Sequence, residues 1–224
     1  MKIKSIFLSS ESNSSLPFVS FCEENGISFL RKSFISFEPV PFVLPEIGDV
    51  VFFSSPRSFD FFLSGGINWK PGRELACIGE ETKKHIEAAG FSVSFVGENA
   101  GNPEEVAALF NQWLGTRTAL FPQSTKSNKS IEKAVPPSQR VPLLVYRTIE
   151  TPIRLTEEFS VYIFTSPSNY DSFSAINAIP ETGMVISWGE MTHQRIVNQG
   201  GKSEFVLRTS TYSELLEILK KING

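Results

Sequence analysis

Four short polar stretches stand where a ligand could be held: Ser54-Ser55, Gly79-Glu80-Glu81-Thr82, Thr165-Ser166 and Gly189-Glu190-Met191-Thr192. Each follows an apolar run and opens a segment of helical pattern. Hydroxyls and the unbonded N–H groups of a first helical turn therefore gather at one place, which is chemistry for binding phosphate or carboxylate. Ser55 and Ser166 each precede a proline and also read as ordinary N-caps. Thr82 and Thr192 lie two positions into their helices, where no cap is needed, so a ligand role is the sharper reading. Tyr146 closes an apolar run and is followed by Arg147-Thr148. It reads either as an aromatic plug with a bonded hydroxyl or as a phenol at a domain junction.

Other chemistry is poorly represented. There is no Gly-x-Gly-x-x-Gly, no Gly-x-x-x-x-Gly-Lys-Ser/Thr and no Gly-x-Ser-x-Gly, which disfavours nucleotide cofactors and serine hydrolysis. His85 and His193 read as exposed helix residues rather than metal ligands. Cys22 and Cys77 read as core residues and cannot form a disulfide framework. Glu80-Glu81 and Glu157-Glu158 read as solvated helix starts or turns.

The elements that must position these residues come in duplicate. VFFSSPRSFDFF (51–62) aligns with YIFTSPSNYDSF (162–173) at a shift of 111, and IGEETKKHIEAAG (78–90) with WGEMTHQRIVNQG (188–200) at a shift of 110. Phe95-Val96 then matches Phe205-Val206. Two collinear copies of this length indicate two domains of one design rather than a solenoid. Strands are expected over 3–8, 27–37, 50–54, 75–78, 92–96, 118–121 and 141–146. Helices are expected over 16–24, 80–89, 127–134 and 213–222, with further starts at Pro56 and Pro103. The expectation is an α/β protein of two similar flavodoxin-like parallel-sheet domains with helices on both faces. The residues leave open whether the halves combine in tandem or by exchange.

The 224 residues suit two domains, and 41% hydrophobic content suits a sizeable core. With 21 basic and 24 acidic residues the net charge is −3. That disfavours a general nucleic-acid binder, although local donors can still hold an anion. No run is long enough to span a bilayer. The start shows no export pattern, so a cytoplasmic protein is expected.

Taken together, Phe53-Ser54-Ser55-Pro56, Ile78-Gly79 with Thr82, Val145-Tyr146-Arg147, Phe164-Thr165-Ser166-Pro167 and Gly189 with Thr192 resemble the uroporphyrinogen-III synthase family. The resemblance covers most of the chain. It implies one discontinuous domain from 1–37 and 153–224, a second from 42–146, and two connector strands over 38–41 and 147–152. It also implies a lyase that cyclises hydroxymethylbilane with inversion of ring D and loss of water, in haem and other tetrapyrrole biosynthesis. No cofactor is implied, and the protein would be a monomer in transient contact with the bilane-forming enzyme. Tyr146 would be catalytic, donating to the departing hydroxyl. Ser54, Ser55, Thr82, Thr165, Ser166 and Thr192 would bind substrate, with Lys126 and Arg147 as cationic contacts. The rival reading is a two-lobed small-molecule binder or sensor without catalysis.

Overall fold

The computed structural model describes residues 2–11, 15–66, 72–98 and 102–224. The first stretch carries β1 (Ser5–Leu8), α1 (Leu16–Glu24), β2 (Ser28–Arg31) and β3 (Ile35–Pro39). Next come β4 (Val50–Phe53), α2 (Pro56–Ser64), β5 (Glu74–Cys77), α3 (Glu80–Ala88), β6 (Phe95–Val96) and α4 (Pro103–Leu114). β7 (Ala119–Ser124), α5 (Ser130–Ala134) and β8 (Arg140–Glu150) follow. The chain closes with β9 (Val161–Phe164), α6 (Pro167–Ser174), β10 (Met184–Ser187), α7 (Glu190–Asn198), β11 (Phe205–Val206) and α8 (Tyr212–Asn223). The order from β4 to α4 recurs from β9 to α8, as the internal repeat requires.

The chain divides into two compact units, one of residues 1–36 with 149–224 and one of 37–148. In the first, five strands lie in the order β11-β10-β9-β1-β2. In the second, six lie in the order β3-β8-β7-β4-β5-β6. The β1/β2, β1/β9, β9/β10 and β10/β11 pairs are parallel, and so are β7/β8, β4/β7, β4/β5 and β5/β6.

Strand composition dictates the layers. All four residues of β4 are buried, as are all four of β9. Successive side chains alternate between sheet faces, so a strand that is apolar throughout needs cover on both. Val50 and Phe52 join a cluster with Val106 and Phe110 of α4, whereas Val51 and Phe53 pack with Phe59 and Phe62 of α2 and Ile86 of α3. In the other unit Val161 and Ile163 face α1 and α8, and Tyr162 and Phe164 face α6 and α7. Burying each large apolar side chain contributes about 1.5–3 kcal/mol. Gly90 and Gly200, at φ +89° and +81°, end α3 and α7 at matching places in the left-handed conformation that glycine adopts most cheaply.

Several expectations are corrected. The strand expected over 27–37 is two strands, because the chain leaves one sheet for the other there. At the break Phe34 N donates to Asn169 Oδ1 (2.8 Å) and Ser33 Oγ donates to the Ile35 carbonyl (2.8 Å). β8 does not stop at 146 but runs to Glu150. The strand expected over 92–96 shrinks to two residues at a sheet edge. The helix expected from 127 begins at Ser130, after Lys129 at φ +58°.

Candidate functional site

The site residues of the 37–148 unit come together through strand register. Phe53 pairs with Cys77, Val51 with Leu120, and Ser124 with Tyr146. Continued two residues past the ends of β4 and β5, this register sets Ser55 and Gly79 level with Ser124 and Tyr146 along the carboxyl edge of the sheet. Ligands bind at that edge in open parallel sheets. Strands are about 4.8 Å apart, so three spacings put Tyr146 about 14 Å from Gly79.

A bulge aims the tyrosine. Gln123 pairs with Leu144, yet the next residue, Ser124, pairs with Tyr146, leaving Val145 as the extra residue on β8. Regular alternation would send Val145 and Tyr146 to opposite faces. With the bulge both are buried in the same cluster. The Tyr146 ring stacks on Phe61 of α2 at 4.8 Å and 14°, and meets the edge of Phe37 at 5.9 Å and 68°. Arg57, one turn before Phe61, lies over the other ring of this group, its guanidinium carbon 3.6 Å from the Phe37 centroid. Tyr146 is 8% exposed, and among the described residues its hydroxyl has no hydrogen-bond partner. The ring is packed on two sides, and among the described residues its hydroxyl is not bonded.

The hydroxyls at the helix starts divide into two kinds. Ser55 Oγ accepts from Ser58 N (3.2 Å), and Ser58 Oγ accepts from Ser55 N (3.3 Å) in a capping box. Ser166 Oγ accepts from both Asn169 N and Nδ2 at 3.2 Å. Thr165 is clasped to the residue after β1, its Oγ1 donating to the Ser9 carbonyl (2.5 Å) and its N donating to Ser9 Oγ (2.8 Å). These three side chains therefore have structural duties. By contrast, α3 and α7 begin at Gly79 and Gly189 with no side-chain cap. Thr82 and Thr192 are 4% and 3% exposed, and among the described residues neither hydroxyl has a partner. The duplicated pair of bare helix starts, each with a buried threonine, is an arrangement that can hold an anion.

The remaining candidates are spread out. Ser54 is exposed beside the cap. Lys126 is exposed in the turn after β7, its N donating to Ser124 Oγ (3.2 Å). Arg147 follows Tyr146 on β8 and is exposed, so strand alternation turns it away from the tyrosine face. Thr165, Ser166 and Thr192 line the same edge of the other unit's sheet. His85 is exposed, as expected, but His193 is half-buried and its Nδ1 has no partner among the described residues. Cys77 ends β5 with its thiol donating to the Gly79 carbonyl (3.5 Å). Burial pushes that thiol up to about 11, against the lowering effect of this bond, so it is a neutral core group rather than a nucleophile.

Sequence reasoning missed Phe37, Arg57 and Phe61. A signal was present in the repeat itself: at the shift of 111 Arg57 faces Ser168 and Phe61 faces Ser172, where a charge and a ring in one copy stand against hydroxyls in the other.

These features define a parallel-sheet α/β protein with hydroxyl-lined helix starts on the carboxyl edge of each sheet. The family model for uroporphyrinogen-III synthase HemD matches residues 17–216. The chain belongs to the uroporphyrinogen-III synthase family, lyases of tetrapyrrole biosynthesis. Among solved structures, uroporphyrinogen-III synthetase from Helicobacter pylori is similar with 18% identity and a TM-score of 0.70, over 98% of this chain and 100% of that one. A mutant uroporphyrinogen III synthase from the extremely thermophilic bacterium Thermus thermophilus is similar with 17% identity and a TM-score of 0.65, over 97% of this chain and 98% of that one. At these identities the likeness shows the fold. Comparison with curated protein sequences gives no match. Among the described residues no helix is long and apolar enough to cross a membrane.

Proposed function

We propose that this enzyme is a uroporphyrinogen-III synthase that cyclises hydroxymethylbilane with inversion of the last pyrrole ring, in the route to haem and other tetrapyrroles. The observation that carries the reading, beyond family membership, is the Tyr146 hydroxyl at the carboxyl edge of a sheet, without a hydrogen-bond partner among the described residues. In the reaction the hydroxymethyl C–O bond breaks and an azafulvene forms. The α-carbon of the last pyrrole that already carries a bridge attacks it, the older bridge bond breaks to leave a second azafulvene, and the ring's free α-carbon closes onto that and loses a proton, so the ring is inverted and the net loss is one water. Tyr146 donates to the departing oxygen, and the proton released on closure restores the phenol. The bilane carries many carboxylates. The bare starts of α3 and α7, with Thr82 and Thr192, supply donors for them without a basic surface. Because the bilane also closes unaided to the wrong isomer, the protein's main task is to hold one conformation and exclude water from the azafulvene.

The architecture in this reading is a pair of flavodoxin-like domains, 1–37 with 153–224 and 42–146, joined by connector strands over 38–41 and 147–152. Strand orders that place the first strand inside its sheet support it. The protein acts as a cytoplasmic monomer, needs no cofactor and receives its substrate in transient contact with the bilane-forming enzyme. A coupled assay with porphobilinogen and a bilane-forming enzyme tests the reading. Added protein is expected to shift the product from isomer I to isomer III. An unchanged isomer I product with folded protein present would leave a binder without catalysis.

A further inference from the structure

The ring cluster around Tyr146 belongs to one unit only. By the repeat, Ser168 and Ser172 stand in α6 where Arg57 and Phe61 stand in α2. The Ser172 Oγ is buried with no partner among the described residues, so α6 at that place offers a small polar group instead of a ring. Phe61 is half-buried. It packs on Tyr146, nearly parallel at 4.8 Å, while Phe37 closes the other direction edge-on at 5.9 Å. Two rings at steep angles to one another leave the tyrosine one orientation, and the bulge at Val145 fixes its root. Among the described residues the phenol has no hydrogen bond, which leaves this packing to aim it.

We propose that Phe61 is a positioning residue for the synthase reaction, holding the Tyr146 phenol by ring stacking so that its hydroxyl faces the departing oxygen. The inference rests on the reading of Tyr146 as the proton donor. Without the stack the phenol samples further rotamers, and only a fraction of molecules present the donor correctly. Substrate affinity, which lies with the helix starts, is untouched.

The test is a double-mutant cycle in the full-length protein, with kcat, KM and isomer ratio measured on hydroxymethylbilane. Phe61→Leu keeps apolar volume but no ring, and is expected to lower kcat about three- to ten-fold, the size of one lost aromatic pair. KM should stay within about two-fold, and isomer III should remain the product. Phe61→Tyr, which keeps the ring, should restore kcat. In the Tyr146→Phe background Phe61→Leu should cause no further loss, since the group it aims is gone. Equal losses in both backgrounds would mean that Phe61 acts on stability alone, overturning the proposal. If Phe61→Leu fails to fold, Phe61→Met takes its place in the same cycle. A Tyr146→Phe enzyme with unchanged kcat would instead overturn the donor reading, and this inference with it.

Discussion

Asp60 and Asp171 hold equivalent positions in the two units, each bonded to a basic side chain on the following helix. His85 Nε2 lies 2.6 Å from Asp60 Oδ1, and Arg195 Nε lies 2.7 Å from Asp171 Oδ1. The α2–α3 and α6–α7 contacts are thus latched alike, and the repeat aligns the basic partners too: at the shift of 110 His85 falls opposite Arg195, while the other histidine, His193, falls opposite Lys83. The Asp171 bond raises the Arg195 pKa further, first through the hydrogen bond and then through charge.

Asp171→Asn removes the partner that raises the Arg195 pKa, and Asp60→Asn removes the partner of His85. Each variant is expected to lower the melting temperature only slightly, because His85 and Arg195 are exposed. Thermal melts of the two variants check this, and a drop of about ten degrees in either would show that its latch holds the helix pair together.

Tyr146→Phe keeps both ring contacts and loses only a hydroxyl that has no partner among the described residues, so folding should be unaffected. The leaving group is already activated by an electron-rich pyrrole, and the donor supplies about 1–3 kcal/mol, or roughly ten- to a hundred-fold in turnover. Isomer III should remain the product. Single-turnover kinetics with an isomer analysis checks this, and wild-type turnover in a folded variant would make the phenol a structural plug.

The split among the hydroxyls gives opposite expectations for neighbouring residues. Ser55→Ala and Ser166→Ala remove caps and should cost about 1 kcal/mol of stability each, with activity near wild type. Thr82→Ala and Thr192→Ala should leave stability nearly unchanged and raise KM by a few-fold. Their effect should be mild because backbone N–H groups share the task. Denaturant melts alongside steady-state kinetics separate the two groups.

Both thiols should be silent in the native state. Cys22 and Cys77 are fully buried, and burial pushes each to about 11, with Glu23 adding to the rise at Cys22. A thiol-specific disulfide reagent at pH 8 is expected to label neither until denaturant is added. Because the folded values lie above the ordinary thiol value of 9.0, the folded state retains its protons longer. Stability should therefore be flat below about pH 9 and fall as the pH rises toward 11. Alanine at both positions should remove that loss, though it will lower stability at every pH.

The sequence by itself determined the elements. Helix α1 spans the expected 16–24, Pro56 and Pro103 open their helices behind the caps Ser55 and Asn102, and the wholly apolar VVFF and VYIF runs became strands covered on both faces. These features are local: a cap, a proline or a run of four side chains carries its own energetic preference. The repeat was legible for the same reason, and it marked Thr82 and Thr192 as a matched pair. Tertiary structure alone decided which half completes which sheet, since β1 pairs with β9 across more than half the chain and β4 with β7. It also decided the break between β2 and β3, the extension of β8, and the bulge that turns Tyr146 onto Phe61. Each depends on partners distant in sequence. A one-residue shift in register reverses every side chain on a strand, so the face that Tyr146 occupies could be settled only by the strand beside it.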